Sequence, residues 1–296
     1  MRILTEASGS LTASYLIKAI QTAGHQAVGS DIDADNAGYC LANDFIVVPP
    51  KADPDLWDIL EEELVTKKID VVIPSLDETM LDWALRREHF LKMGIHIIIS
   101  PEETVRICQD KWETYLFFQQ TKIPCPLTSL KKDYPLVKPR LGRGSEGISI
   151  TDADISMEGM VSQQVIEGEE YTIDTFFNKD GIPIYIIPRK RIAVKNGKST
   201  RGIVCRHDRI VHYINLMAQA THFSGPINFQ CFDHHGELSF IEINPRIAGG
   251  MALGFAASEN WIPLIVNNLI YRQSITPKPI KYGLKMVRSY AEYFIS

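Results

Sequence analysis

No apolar run in this chain approaches the ~20 residues that a membrane-spanning helix needs. The opening residues, MRILTEASGS, lack the apolar core of a secretory signal. Cysteine is sparse and scattered at Cys40, Cys108, Cys125, Cys205 and Cys231, without a CxxC pair. That argues against both a disulfide framework and a thiolate zinc site. The eight histidines show no HxxxH spacing, and the adjacent pair His234 and His235 falls in an expected turn. Basic charge is also short: the net charge of −5 leaves no electrostatic footprint for nucleic acid or an anionic membrane. No internal repeat or low-complexity segment appears. Cytoplasmic residence is the expectation.

What is present is an ordinary globular composition, 45% hydrophobic and 23% charged over 296 residues, enough for two or three packed units. Short apolar strands at 2–5, 27–31, 45–48, 71–74 and 95–99 alternate with helical patterns at 11–23, 54–67 and 78–91. Strands separated by helices imply right-handed crossovers and a parallel, Rossmann-like sheet. The turn after the first strand, TEASGS, has one glycine where a dinucleotide fingerprint needs three, which speaks against NAD. Without those glycines, Asp31 and Asp33 are expected to be solvated. Asp77 and Glu78, after the fourth strand, are expected to serve the following helix before any substrate. Ser100-Pro101-Glu102-Glu103 reads as a capping box opening a helix, with the domain boundary near 100.

Beyond it, a helix is expected over 111–121 and a strand over 134–139. There follow the glycine-rich RLGRGSEG at 140–147 and a strand at 148–150. A glycine-rich loop between strands can close its N–H groups on phosphates. Alone, such a loop more often marks a flexible hairpin; its basic residues Lys138, Arg140 and Arg143 make the phosphate reading more plausible. Strands at 161–166, 171–177, 182–187 and 191–194, with turns at 178–181 and Asn196-Gly197, indicate antiparallel sheet. Helices are expected at 208–223 and 258–271.

The stretch GPINFQCFDHHGELSFIEINPRIAGG, 225–250, reads as two strands, 227–232 and 238–244. Side chains alternate faces along a strand, so Asn228 and Gln230 share one face, and Glu242 and Asn244 share another. A three-residue loop, His234-His235-Gly236, would pair Asp233 with Glu237 and set Gln230 opposite Phe240. In that register Gln230, Glu242 and Asn244 gather on one side with no basic partner in either strand. One carboxylate with amide oxygens is what Mg²⁺ takes when waters and substrate phosphates complete its shell. The competing reading is a hairpin with a half-exposed polar face. Arg246 favours the first, since it adds a permanent cation able to fork onto phosphate oxygens.

Glu242-Ile243-Asn244-Pro245-Arg246, preceded by Asn228-x-Gln230, resembles the metal-binding segment of the ATP-grasp superfamily, in the branch similar to the large subunit of carbamoyl phosphate synthetase. The resemblance implies an α/β plus α+β chain. A Rossmann-like pre-ATP-grasp domain over 1–100 would precede a two-lobed ATP-grasp domain over 101–296, with a small lobe at about 125–165 and a large lobe at about 166–275. It implies that Lys111 and Lys138 meet the phosphates of ATP and that Gly142 and Gly144 belong to the loop folding over them. Gln164 and Ile166 would offer backbone groups to adenine, and Glu170 would hold the ribose. Gln230, Glu242 and Asn244 would bind two Mg²⁺ ions, with Mn²⁺ as an alternative. Arg246 would stand beside the transferred phosphate, and one of Arg189, Arg191 and Arg201, with Arg191 preferred, would orient the carboxylate or its acylphosphate. The implied activity is ATP-dependent ligation of a small-molecule carboxylate to an amine, with a homodimer as default assembly. Phosphorylation of carbamate or another small acid without ligation, and a regulatory ATP-binding protein whose catalysis has lapsed, are the alternatives. A chain with one such unit would not carry out both phosphorylations of carbamoyl phosphate synthesis.

Overall fold

The computed structural model describes residues 1–10, 12–142, 146–195, 198–289 and 291–295. The chain forms two units. One comprises Met1–Ile99 with Glu259–Thr276 and Ser289–Ser296, and the other Ser100–Ser258 with Pro277–Arg288.

In the first unit β1 (Arg2–Thr5), α1 (Ala13–Thr22), β2 (Gln26–Asp31), α2 (Ala37–Leu41), β3 (Asp44–Val47), α3 (Leu56–Thr66), β4 (Val71–Ile73), α4 (Met80–Lys92) and β5 (His96–Ile97) follow in order. The strands form a parallel sheet, β3-β2-β1-β4-β5. Helical spacing explains the helices that cover it: Leu16, Ile17 and Ile20 of α1, and Leu56, Leu60 and Leu64 of α3, turn one buried stripe inward. Short α2, which the sequence pattern did not announce, is held by Asn36 accepting from the Tyr39 N–H at 3.2 Å.

The loop after β1 is pinned by two carboxylates. Buried Glu6 accepts from Trp83 Nε1 (2.8 Å), Thr79 Oγ1 (3.0 Å) and the Ser75 N–H (3.1 Å), which clasps this loop to the one after β4. Burial raises the Glu6 carboxyl above its ordinary range, and those donors partly oppose the rise. Asp31 accepts the Gly9 N–H at 2.8 Å, so it is a structural tie and not the solvated side chain expected. Asp77 and Glu78 lie in a 3₁₀ turn, Asp77–Thr79, leading into α4.

The second unit begins with α5 (Glu102–Gln109) and α6 (Lys111–Gln120). The expected capping box at Ser100 does not form. Ser100 is buried and its Oγ accepts the Ser224 N–H at 3.0 Å, leaving α5 without a side-chain cap. A small antiparallel sheet, ordered β6-β9-β7-β8, follows from β6 (Thr128–Ser129), β7 (Leu136–Pro139), β8 (Ser149–Ile150) and β9 (Met160–Gln163).

The larger sheet is ordered β14-β13-β10-β11-β12-β15, with neighbours antiparallel. It uses β10 (Glu169–Phe177), β11 (Pro183–Lys195), β12 (Lys198–Val204), β13 (Gly225–His234), β14 (Glu237–Asn244) and β15 (Lys285–Val287), with α7 (Asp208–Ala220) between β12 and β13. The two strands expected at 182–187 and 191–194 are one, β11; the Asn196-Gly197 turn lies outside the described residues.

One face of this sheet is apolar. Ile173, Phe177, Phe229, Cys231, Phe240 and Ile243 pack with Phe117 and Phe118 of α6 and Ile210, Ile214 and Met217 of α7. Strand alternation then commits the other face to Thr172, Asp174, Gln230, Glu242 and Asn244.

After β14 come α8 (Ala252–Ala257) and α9 (Trp261–Leu264), the latter running into a π-helical turn, Ile265–Ile270. The helix expected over 258–271 forms from Trp261 to Ile270, starting three residues later and taking π-helical geometry over its second half. Asn260 caps a new start at Trp261 by accepting from the Ile262 N–H (3.0 Å), and its Nδ2 donates to the Ala19 carbonyl (2.7 Å), which ties this segment to α1 of the first unit.

Candidate functional site

The β13–β14 hairpin differs from its expected register. His234 pairs with Glu237, leaving a two-residue loop in which His235 (φ 52°) and Gly236 (φ 90°) both take the left-handed conformation. Asp233 stabilises this tight turn by accepting the Gly236 N–H at 2.6 Å. Continued regularly, such a turn would place Ile241 opposite Gln230 and send Glu242 to the apolar face. A bulge at Ile241 corrects the phase: Cys231 pairs with Phe240, Gln230 with Glu242 and Asn228 with Asn244. Directly paired residues share a face, so Gln230 and Glu242 stand side by side on the polar surface.

That surface is ordered across the sheet. Glu242, Gln230, Thr172 and Arg189 form one cross-strand row, and Asn244, Asn228 and Asp174 the next. Gln230 and Glu242 are half-buried, while Asn228, Asn244 and Asp174 are buried. Among the described residues Glu242 forms no ion pair, and no three His, Cys, Asp or Glu side chains assemble an all-protein metal cage. One half-exposed carboxylate flanked by amide oxygens fits a hard cation that takes its remaining ligands from phosphate and water. Arg246 follows directly, its Nη2 donating to Asn244 Oδ1 at 3.3 Å.

The small sheet contributes the cations. Lys138 on β7 is 6% exposed and donates from Nζ to Gln163 Oε1 at 2.9 Å; Gln163 in turn donates to Thr128 Oγ1 at 2.8 Å. Burial pulls its ammonium down to about 8, Lys111 pushes the same way, and Glu242 opposes. Lys111 and Glu242 therefore both lie within electrostatic reach of Lys138, though 104 positions separate Lys138 from Glu242 and 131 separate Lys111 from it. Asp110 caps α6 by accepting the Trp112 N–H at 2.8 Å and grips Arg140 through Nε and Nη2. Lys111 Nζ donates to the carbonyl of Gly142 at 3.0 Å, at the start of the glycine-rich loop. Gly142 has φ 124°, open to glycine alone; Gly144 lies outside the described residues.

Gln164 and Ile166 fall in the connection between β9 and β10, beyond the strand expected to hold them. The Gln164 side chain accepts the Leu127 N–H at 3.1 Å, and the Gln164 N–H donates to the Leu127 carbonyl at 3.0 Å. Glu170, half-buried at the start of β10, is ion-paired with Arg191 of β11. Arg189 is engaged by Asp174, and Arg201 is exposed. Sequence reasoning passed over Gln163, Asp174 and Asn228 as partners of these charges; only Asn228 carried a signal, its phase with Gln230.

Among the described residues no helix is long and apolar enough to cross a membrane. Residues 156–290 match the family model described as ATP-grasp in the biosynthetic pathway with Ter operon. A search of curated proteins found no match. Similar solved structures include the biotin carboxylase–β,γ-ATP complex of Campylobacter jejuni, 15% identical, covering 95% of this chain and 73% of that one at a TM-score of 0.74. An L-amino acid ligase from Bacillus licheniformis is 19% identical over 94% of this chain and 75% of its own, at 0.71. The biotin carboxylase domain of 2-oxoglutarate carboxylase from Hydrogenobacter thermophilus, in complex with MgADP, ADP and bicarbonate, is 15% identical over 96% and 73%, at 0.73. At these identities the likeness is one of fold.

Proposed function

From the match of residues 156–290 to an ATP-grasp family model and from the fold, we propose that this chain is a member of the ATP-grasp superfamily and an ATP-dependent ligase joining a small-molecule carboxylate to an amine. The observation that carries the reading is the bulge-set pairing of Gln230 with Glu242, within electrostatic reach of buried Lys138. A buried lysine hydrogen-bonded to a neutral amide is costly unless an anion completes it. A triphosphate is an anion of the right charge.

In this reading Lys138 and Lys111 neutralise the phosphates, Gly142 and Gly144 belong to the glycine-rich segment that meets them, and backbone groups near Gln164 and Ile166 meet adenine. Glu170 reaches the ribose hydroxyls, with Arg191 holding its carboxylate in place. Gln230, Glu242 and Asn244 would hold Mg²⁺, which supplies charge neutralisation along the phosphate chain. A carboxylate oxygen of the acid attacks the γ-phosphorus in line. The bond to the β,γ-bridging oxygen breaks, ADP departs with the electron pair, and Arg246 offsets charge on the transferred group. The amine nitrogen then attacks the acyl carbon, the C–O bond to phosphate breaks, phosphate leaves, and the amine gives up a proton to solvent. No side chain forms a covalent bond.

The test is ADP and phosphate release with Mg²⁺ across pairs of amino acids and small carboxylates, with each acid and amine also run alone. Release that requires both co-substrates is expected. Glu242→Gln should lower it by about 100-fold, the ~3 kcal/mol of a lost charge contact at a metal, while circular dichroism and melting stay as in wild type. Unchanged turnover in that variant would remove the assignment.

A further inference from the structure

The larger sheet ends on β15, and that end is basic. Residues 198–206 and 277–288, which carry β12, β15 and their flanks, hold seven lysines and arginines and no acid, in a chain whose net charge is −5. The nearest acids along the sheet, Glu169 and Glu170 of β10, are already taken by Lys190 and Arg191. Arg206 lies over the ring of Tyr282 at 4.7 Å. Arg201, Arg206 and Lys285 are exposed, and among the described residues none of the three is in an ion pair.

Among the described residues β15 has a strand beside it on one side only. The Val204 N–H donates to the Leu284 carbonyl at 2.9 Å and the Arg288 N–H to the Thr200 carbonyl at 3.1 Å, which brackets the ladder. Alternate residues of an antiparallel pair turn their backbone groups toward the partner, so with Leu284 and Arg288 facing β12, Lys285 and Val287 direct N–H and C=O outward. That is the spacing a further strand needs. Val287 pairs directly with Arg201, and Lys285 with Ile203, so these four side chains share a face, on which Val287 is 75% exposed. It is the face opposite Gln230 and Glu242, because Val204, one residue out of phase with Ile203, pairs with Arg189 of their row.

We propose that β15 is a docking edge for an acidic polypeptide segment, which adds to the sheet as one more strand and sets a carboxylate against Lys285 and an apolar side chain against Val287. Backbone bonds to the outward groups supply affinity, and the alternate side chains supply specificity. A single lysine on a short edge serves to keep strands apart. Seven cations without an acid exceed that need, and the exposed valine beside Lys285 works against it. A second copy of this chain is disfavoured as the occupant, since its own β15 would bring the same cations to the contact. Nucleic acid matches the charge, but its phosphates only accept hydrogen bonds and leave the outward carbonyls of Lys285 and Val287 unmet. The inference does not depend on the ligase reading.

The test titrates the full chain onto a short fluorescein-labelled peptide of alternating valine and glutamate and follows anisotropy. A peptide of alternating proline and glutamate carries the same charge but cannot form a strand. Saturable binding of the first is expected, with the second at least about tenfold weaker. Lys285→Glu reverses the central charge, and Val287→Pro removes an outward N–H while sparing the bonds to β12. Each should weaken the valine peptide about tenfold or more, with circular dichroism as in wild type. In the complex the amides of Lys285 and Val287 should exchange at least about tenfold more slowly. Absence of saturable binding, equal affinity for the two peptides, undiminished affinity in either folded variant, or unchanged exchange at those two amides overturns the docking edge. Tighter binding of a single-stranded oligonucleotide than of the valine peptide overturns it too. Should Val287→Pro not fold, Lys285→Glu and the exchange measurement decide.

Discussion

Burial lowers the Lys138 ammonium from 10.5 to about 8, and that shift has a sign that can be followed. Between about 8 and 10.5 the unfolded chain carries more proton at this residue than the folded one, so stability rises with pH through that window. Below about 8 both states are protonated and the burial cost is present in full. A bound triphosphate favours the charged lysine and reverses the shift. Binding of an Mg²⁺–ATP analogue at pH 8.5 is therefore expected to take up a fraction of a proton, falling towards none by pH 6.5. Calorimetry in two buffers of different ionisation enthalpy measures this, and zero uptake at pH 8.5 would show that Lys138 does not face the phosphates. At this scale the sequence was informative about identity. Lys138 stood before a glycine-rich loop, and Glu242 interrupted an apolar strand. Gln163, which holds Lys138, and the Asp174–Arg189 pair carried no local signal, because their partners are set by cross-strand register.

Among the elements, the β13–β14 hairpin shows how two departures from regularity cancel. The expected three-residue loop and the observed two-residue loop differ by one phase of the pleat, which flips every side chain to the other face. The bulge at Ile241 restores the phase, so the expected cluster forms by a route the pattern did not disclose. Turn type depended on His235 adopting φ 52°, a conformation open to few side chains and not advertised by its neighbours. The connection between β9 and β10 is similarly constrained. Gly168 has φ 131°, and a Cβ there would lie 2.5 Å from the Asp233 carbonyl oxygen, a backbone atom with no freedom to move aside. Gly168→Ala is expected to destabilise by ~2 kcal/mol or more, lowering the melting temperature of the second unit by roughly 4–8 °C. A melt indistinguishable from wild type would mean that this connection is not held as described.

Across the whole molecule, ligand linkage separates the two units. A nucleotide at about 100 times its dissociation constant adds ~2.7 kcal/mol to whatever binds it, roughly a hundredfold slowing of exchange through global opening. Hydrogen exchange with and without an Mg²⁺–ATP analogue should show that slowing within Ser100–Ser258, around β7, β9, β13 and β14, while β1, β2 and β4 of the first unit keep their rates. Slowing concentrated in Met1–Ile99 would place the nucleotide on the wrong unit.

The alternation of strands and helices along the first hundred residues was legible because parallel sheets need crossovers, and the polar face of the hairpin was legible because strand side chains repeat every two residues. Those are local periodicities, and local periodicity is what a linear sequence expresses directly. The return of residues 259–276 to the first unit, the bulge that aligns Gln230 with Glu242, and the pairing of Arg189 with Asp174 were settled by packing. Each depends on which distant segments lie side by side, and that is chosen by the burial of whole faces at once.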